Sequence, residues 1–194
     1  MPRSRPIALH LTLVRHGEST WNESRTIQGQ LDGAVLTDTG RDQIVAAAQA
    51  LRGSQFDSII SSDLIRAAQS AEILAELLGL EVTRDPSLRE RSFGVLEGGT
   101  LSVLSPQLTG IDGERVIDDL VRPERGESLS ELLERAGAFI RRTREEYPGQ
   151  RLLVVTHGGT IRALRAYVAG TSFLGSQWYP VANASRWPVD AGHA

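Results

Sequence analysis

The sequence contains no cysteine. No disulfide can form and no thiolate can act as nucleophile or ligand, so cysteine usage says nothing about the redox compartment. Lysine is absent too: the 21 basic residues are all arginine. Coding bias accounts for that choice, but it has a physical consequence. Every fixed cation is a planar fork suited to phosphate or carboxylate. No stretch approaches the ~20 apolar residues of a membrane span. There is no GxGxxG and no Walker-type loop, so no nucleotide cofactor is expected. The four histidines, His10, His16, His157 and His193, lack HExxH-like spacing, and Asp118-Asp119 reads as a solvated face, so no metal is expected. A net charge of −3 argues against a nucleic-acid binder that works by bulk electrostatics. A local basic pocket for a small anion remains open.

At 194 residues, with 40% hydrophobic and 23% charged residues, the chain reads as one domain behind a loose tail at 1–6. Arg3 and Arg5 precede the apolar run Ile7–Val14. That run leads into Arg15-His16 without a small-residue cleavage site, so it reads as a strand rather than a signal segment. A cytoplasmic location is the default expectation. Both faces of the run are largely apolar, as in a strand covered on each side, and His10 within it reads as a structural histidine.

Residues 23–36 read as a loop. Thr37 caps a predicted helix over 38–51, with Ile44, Val45, Ala48 and Leu51 as its stripe and Gly53 as its stop. A strand over 56–60 precedes a helix over 64–78, capped by Ser62 or Asp63 and closed by Gly79. A third strand covers 80–83. Residues 100–126 suggest one or two short helices. Ser128 and Glu131 have capping-box spacing before a helix lined by Leu129, Leu132, Leu133, Ala136 and Ile140. A fourth strand over 151–155 runs into His157-Gly158-Gly159 and a helix over 161–169. Strands alternating with helices predict a three-layer α/β/α sandwich with a mainly parallel sheet.

In such sheets ligands bind beyond the carboxyl ends of the strands. Arg15-His16-Gly17, Asp63–Arg66 and His157-Gly158-Gly159 all fall just past such ends. A neutral imidazole is a fair nucleophile, so His16 could accept a phosphoryl group and split hydrolysis into two steps. Gly17 would clear room for the phosphate. Arg15 and Arg66 could grip its oxygens, although for Arg66 taken alone a helix-surface ion pair with Asp63 or Glu72 is the preferred reading. His157 and the glycine amides after it would form an anion site at a helix start. An alkoxide leaving group needs a proton. Glu90 is the best placed by its neighbours, yet chemistry alone does not separate it from Glu18 and Glu97. Arg25, Arg89 and Arg91 read as surface ion pairs.

Six blocks in order resemble the histidine phosphatase superfamily, in its phosphoglycerate-mutase-like branch. They are LVRHGESTWN, IQGQLDGAVLTDTG, SSDLIRAAQSAEI, LRERSFGVLEG, GESLSELLERAGAFI and LLVVTHGGTIRAL. The resemblance implies His16 as the phosphorylated nucleophile, Arg15, Arg66 and His157 as the phosphoryl clamp, and Glu90 as the proton donor. It places Asn22, Gln28, Gly29 and Gly158 near phosphate or substrate. The family's mutases carry an insertion with extra basic residues between the acid block and the late helix, and an aromatic hydroxyl after the acid block. Here only residues 91–125 separate Glu90 from Gly126-Glu127-Ser128, and Ser92-Phe93 stands just after the acid. The resemblance therefore implies a phosphatase acting on a small phosphorylated metabolite, with a phosphoglycerate mutase or a non-catalytic phosphoryl-binding protein as rivals. No nucleic-acid or membrane partner is expected, and the oligomeric state, a homodimer included, is open. The family continues past an element like Asn183-Ala184-Ser185 into a further strand. Pro188, soon after Ser185, leads us to expect that strand to be short or missing.

Overall fold

Leu152-Leu153-Val154-Val155 forms the middle of the molecule, and all four side chains are fully buried. Each contributes about 1.5–3 kcal/mol relative to an exposed position. They belong to β4 (Arg151–Thr156), one of five strands, with β1 (His10–Arg15), β2 (Ser58–Ser61), β3 (Val82–Arg84) and β5 (Arg186–Asp190). The computed structural model describes residues 9–100, 122–171 and 179–191. The sheet order is β3-β2-β4-β1-β5. The first four strands are parallel and β5 runs antiparallel to β1.

The period of two along each strand divides the core into two layers. Leu11, Leu13, Ile60, Leu152 and Val154 face one side; Val14, Ile59, Leu153 and Val155 face the other. Among the described residues five α-helices flank the sheet: α1 (Thr20–Glu23), α2 (Asp38–Leu51), α3 (Ile65–Leu78), α4 (Leu129–Glu146) and α5 (Gly158–Val168). Ile44, Ala48 and Leu51 of α2 join Ala67, Ala71 and Leu74 of α3 on one face. Leu132, Ala136, Phe139 and Ile140 of α4 join Ile161 and Leu164 of α5 on the other. The α/β/α sandwich is as expected.

Local chemistry sets the boundaries. The Thr37 hydroxyl accepts the Gly40 N–H at 3.0 Å to open α2. Ser128 and Glu131 form a reciprocal capping box at α4. Gly79, at φ +70°, closes α3 in the left-handed conformation that only glycine adopts without cost.

Several expectations need correction. α3 has no side-chain cap of its own: Ser62 Oγ accepts the Leu64 N–H, and Asp32 reaches from a distant loop to accept the Ile65 N–H at 2.6 Å. α1 was hidden because its capping box pairs Ser19 with Asn22 rather than with Glu or Gln. α5 begins at Gly158, because both glycines adopt helical rather than turn geometry. β5 is present despite Pro188, since an edge strand tolerates a missing ladder donor. His10 is not enclosed. Its side chain is about half exposed (48%) at the start of β1, 4.0 Å from Asp190. The tail at 1–6 and residues 101–121 of the 100–126 stretch lie outside the described residues.

Candidate active site

The carboxyl ends of β1, β2 and β4 bring the three expected segments together. Arg15 and His16 leave β1, and the His16 N–H donates to the Thr156 carbonyl at 3.0 Å, tying the first segment to the third. The rings of His16 and His157 meet edge to face with centroids 5.1 Å apart. Both imidazoles are buried.

His16 Nδ1 lies 2.7 Å from the Gly17 carbonyl oxygen. A carbonyl only accepts, so Nδ1 carries the ring proton and Nε2 keeps its lone pair. Burial, then the charges of Arg15 and Arg66, hold the His16 pKa well below the usual imidazole range. The ring is therefore neutral at physiological pH. Gly17 serves a different purpose from the one expected. A Cβ there would meet the Gly40 carbonyl oxygen at 2.2 Å, so glycine admits the start of α2 rather than a phosphate. The Gly17 N–H donates to Ser70 Oγ of α3.

Arg66 is almost completely buried. Its Nη1 and Nη2 donate to the carbonyls of Leu31 and Gly29 at 3.2 and 2.7 Å. Surface pairing is excluded, because Asp63 binds Arg89 and Glu72 binds Arg84. Burial lowers the Arg66 pKa to about 10, leaving it charged at neutral pH. Arg15 Nη1 donates to the Val181 carbonyl at 2.5 Å. The Nε atoms of both arginines and Nδ1 of His157 are buried, with no hydrogen-bond acceptor among the described residues.

Geometry separates the three carboxylates. Glu18 accepts the Thr37 hydroxyl at the start of α2. One oxygen of Glu97 collects the Gln30 and Phe93 N–H groups and the Ser92 hydroxyl. Glu90 reaches the first turn of α5, where Oε2 accepts the Gly159 N–H at 3.0 Å while Oε1 accepts the Arg91 N–H at 2.9 Å. Its charge acts on both Arg15 and Arg66.

The four residues expected near substrate differ in how they are used. Asn22 Oδ1 accepts from Ser19 and from Asn183 Nδ2, and its own Nδ2 makes no hydrogen bond among the described residues. Gln28 accepts the Ser19 hydroxyl. Gly29, at φ +50°, aims its carbonyl at Arg66 and leaves no room for a side chain against Glu97. A Cβ on Gly158 would sit 3.8 Å from Arg15 Nε, which places that residue beside the clamp. Arg91 is buried rather than on the surface and donates to the Glu127 carbonyl.

Sequence reasoning missed Asn183, whose Nδ2 donates to the His16 carbonyl at 3.1 Å. It missed Arg135 of α4, which binds the carbonyls of Ser87, Arg89 and Glu90 and the Glu127 carboxylate, and so holds the acid loop. Asn183 stands in the sequence only as part of the Asn183-Ala184-Ser185 element, with nothing to show that it reaches His16, and the carbonyls that Arg135 holds lie far away in the chain. Among the described residues no cluster of three or more acidic or histidine side chains could hold a metal, and no helix is long and apolar enough to cross a membrane.

A family model described as the histidine phosphatase superfamily, branch 1, matches residues 11–193, spanning the whole constellation. The chain belongs to that superfamily. A Photorhabdus laumondii relative named a probable phosphoglycerate mutase GpmB is 36% identical, over 96% of this chain and 86% of its own length. A protein of the same name from Yersinia enterocolitica is 39% identical, over 84% of this chain and 75% of its own. Several solved structures similar to this chain are named phosphatases. A mycobacterial glucosyl-3-phosphoglycerate phosphatase bound to VO3 superposes with a TM-score of 0.82 at 32% identity, covering 92% of this chain and 91% of its own. A phosphoserine phosphatase from Entamoeba histolytica, in complex with 3-phosphoglyceric acid, gives a TM-score of 0.77 at 26% identity, with 94% of each chain covered.

Proposed function

We propose that the protein is a metal-independent phosphatase that hydrolyses small phosphomonoesters in the cytoplasm through a phosphohistidine at His16. The observation that carries this reading is that three buried side-chain nitrogens at this site, Arg15 Nε, Arg66 Nε and His157 Nδ1, have no hydrogen-bond partner among the described residues. An unsatisfied buried donor costs about 1–3 kcal/mol, more when charged. Two such arginine donors and the unpartnered His157 nitrogen beside one neutral imidazole make a site already desolvated for a tetrahedral anion.

In the first step His16 Nε2 attacks phosphorus. The N–P bond forms, the ester P–O bond breaks, and protonated Glu90 gives its proton to the leaving oxygen. The positive charge that develops on the imidazole is stabilised by the Gly17 carbonyl at Nδ1–H. The arginines and His157 stabilise the equatorial oxygens. In the second step Glu90 takes a proton from water. The resulting hydroxyl attacks phosphorus, the N–P bond breaks, and inorganic phosphate leaves with Glu90 protonated again.

A phosphoglycerate mutase is a specific second reading, favoured by the names of the bacterial relatives. Three features support the phosphatase instead: several of the solved neighbours are named phosphatases, Arg89 is committed to Asp63, and the Ser92 hydroxyl to Glu97. Incubation with 3-phosphoglycerate and a bisphosphoglycerate primer separates the two. The phosphatase reading predicts net release of phosphate. Isomer formation without release would establish the mutase.

A further inference from the structure

His157 is completely buried, and its Nε2 lies 2.9 Å from Ser62 Oγ, also completely buried. Ser62 Oγ makes one other hydrogen bond, accepting the Leu64 N–H at 3.3 Å. A hydroxyl has one hydrogen to donate, and Leu64 N–H cannot receive it. His157 Nε2 is the acceptor within reach. If Nε2 carried the proton instead, two donors would converge on Ser62 Oγ and its own hydrogen would be buried without an acceptor, at a cost of about 1–3 kcal/mol.

We propose that Ser62 is a positioning residue that donates to His157 Nε2, fixing the neutral tautomer with the proton on Nδ1. That nitrogen is buried and has no hydrogen-bond partner among the described residues. His157 then offers the phosphoryl oxygens a hydrogen-bond donor without carrying a charge. His16, in the same tautomer, presents a lone pair from Nε2. One tautomer thus gives the paired imidazoles opposite functions: the Gly17 carbonyl selects it in His16 and the Ser62 hydroxyl in His157. The ring stays neutral because burial, and then Arg66, His16 and Arg15, depress the His157 pKa. Ser62 begins the segment that also carries Arg66, so that segment supplies one clamp residue and orients another.

The inference rests on the phosphatase reading for its kinetic consequence, but not for its primary test. The full chain labelled with 15N-histidine is studied by two-bond 1H–15N correlation at pH 7.5, with His157 assigned by its loss in His157→Gln. The expected wild-type spectrum shows a protonated Nδ1 and an unprotonated Nε2. The reverse pattern would overturn the proposal whatever the enzyme's activity. In Ser62→Ala, His157 is expected to move toward the Nε2-protonated form that histidine prefers in water, and kcat to fall roughly 10–1,000-fold. Ser62→Thr keeps the hydroxyl and should restore both the tautomer and most of kcat. A Ser62→Ala protein that retains the Nδ1–H tautomer would overturn the proposal, and so would equal loss of kcat in both variants with the tautomer unchanged. If the tautomer responds as expected but no phosphoester is hydrolysed, the phosphatase reading fails and the positioning role stands.

Discussion

Arg66 shows at the level of one side chain how burial and function are joined. Its two terminal nitrogens are satisfied by backbone carbonyls, so the remaining Nε is held in place before any anion arrives. Arg66→Lys removes the fork but keeps the charge. It should reduce kcat/KM by about 10²–10³, the usual effect of losing one preorganised donor. It should also lower stability by about 1–3 kcal/mol, because the Gly29 and Leu31 carbonyls lose their donors. Steady-state kinetics and urea denaturation of the same variant check both effects, and wild-type kcat/KM in Arg66→Lys would mean that charge alone suffices. Arg66 was only half legible in the sequence. Its type suited a phosphate, but nothing in the local pattern told a buried clamp from a surface ion pair. The carbonyls that decide the matter lie more than thirty positions away.

Among the elements, the start of α5 carries the most mechanism. The Gly159 N–H holds one oxygen of Glu90, and a Cβ on Gly159 would lie 2.3 Å from the other. Gly159→Ala puts a better helix former in a helical position yet must displace the carboxylate. The fold should persist while proton delivery fails. Hydrolysis of alkyl phosphates, whose leaving groups need a proton, should drop by about 10²-fold or more. Hydrolysis of p-nitrophenyl phosphate, whose leaving group does not, should fall far less. Equal losses on both substrates would contradict this role for Glu90. Helices α2 and α4 were legible because their caps and stripes are local, with Thr37 opening one and Ser128-Glu131 the other. The start of α3 was not, because its cap comes from Asp32 in another loop. Gly17 was recognised as necessary, but for the wrong reason: the backbone it must admit belongs to Gly40, which sequence cannot place.

For the whole molecule, two neutral imidazoles in the centre couple stability to pH. In the unfolded chain both titrate near ~6.5, whereas the native pKa values are well below that. Below about pH 6.5 the unfolded state binds protons that the native state does not. Their contribution to stability is therefore complete above that pH and is lost as pH falls toward the native values. Each histidine adds a slope of up to about 1.4 kcal/mol per pH unit. The urea midpoint should fall between pH 7.5 and 5.5, and His157→Gln should lessen that fall. A pH-independent midpoint would mean that the rings titrate in the native state as they do in the unfolded chain, and a midpoint that rises toward pH 5.5 would mean that they are charged in the native state. The sandwich itself was legible from the alternation of strands and helices, and so was the meeting of the segments carrying Arg15, His16, Arg66 and His157 at the ends of those strands; the choice of Glu90 came from the family resemblance alone. The edge strand β5 was misjudged, because Pro188 breaks a local rule that an edge position relaxes. The most direct test of the central claim is to trap the enzyme with a 32P-labelled phosphomonoester, quench in alkali, where phosphohistidine survives, and map the label by mass spectrometry. The expected result is acid-labile phosphate on His16, absent from His16→Ala along with nearly all turnover. Full turnover by His16→Ala, or rapid turnover with no protein-bound phosphate, would contradict it.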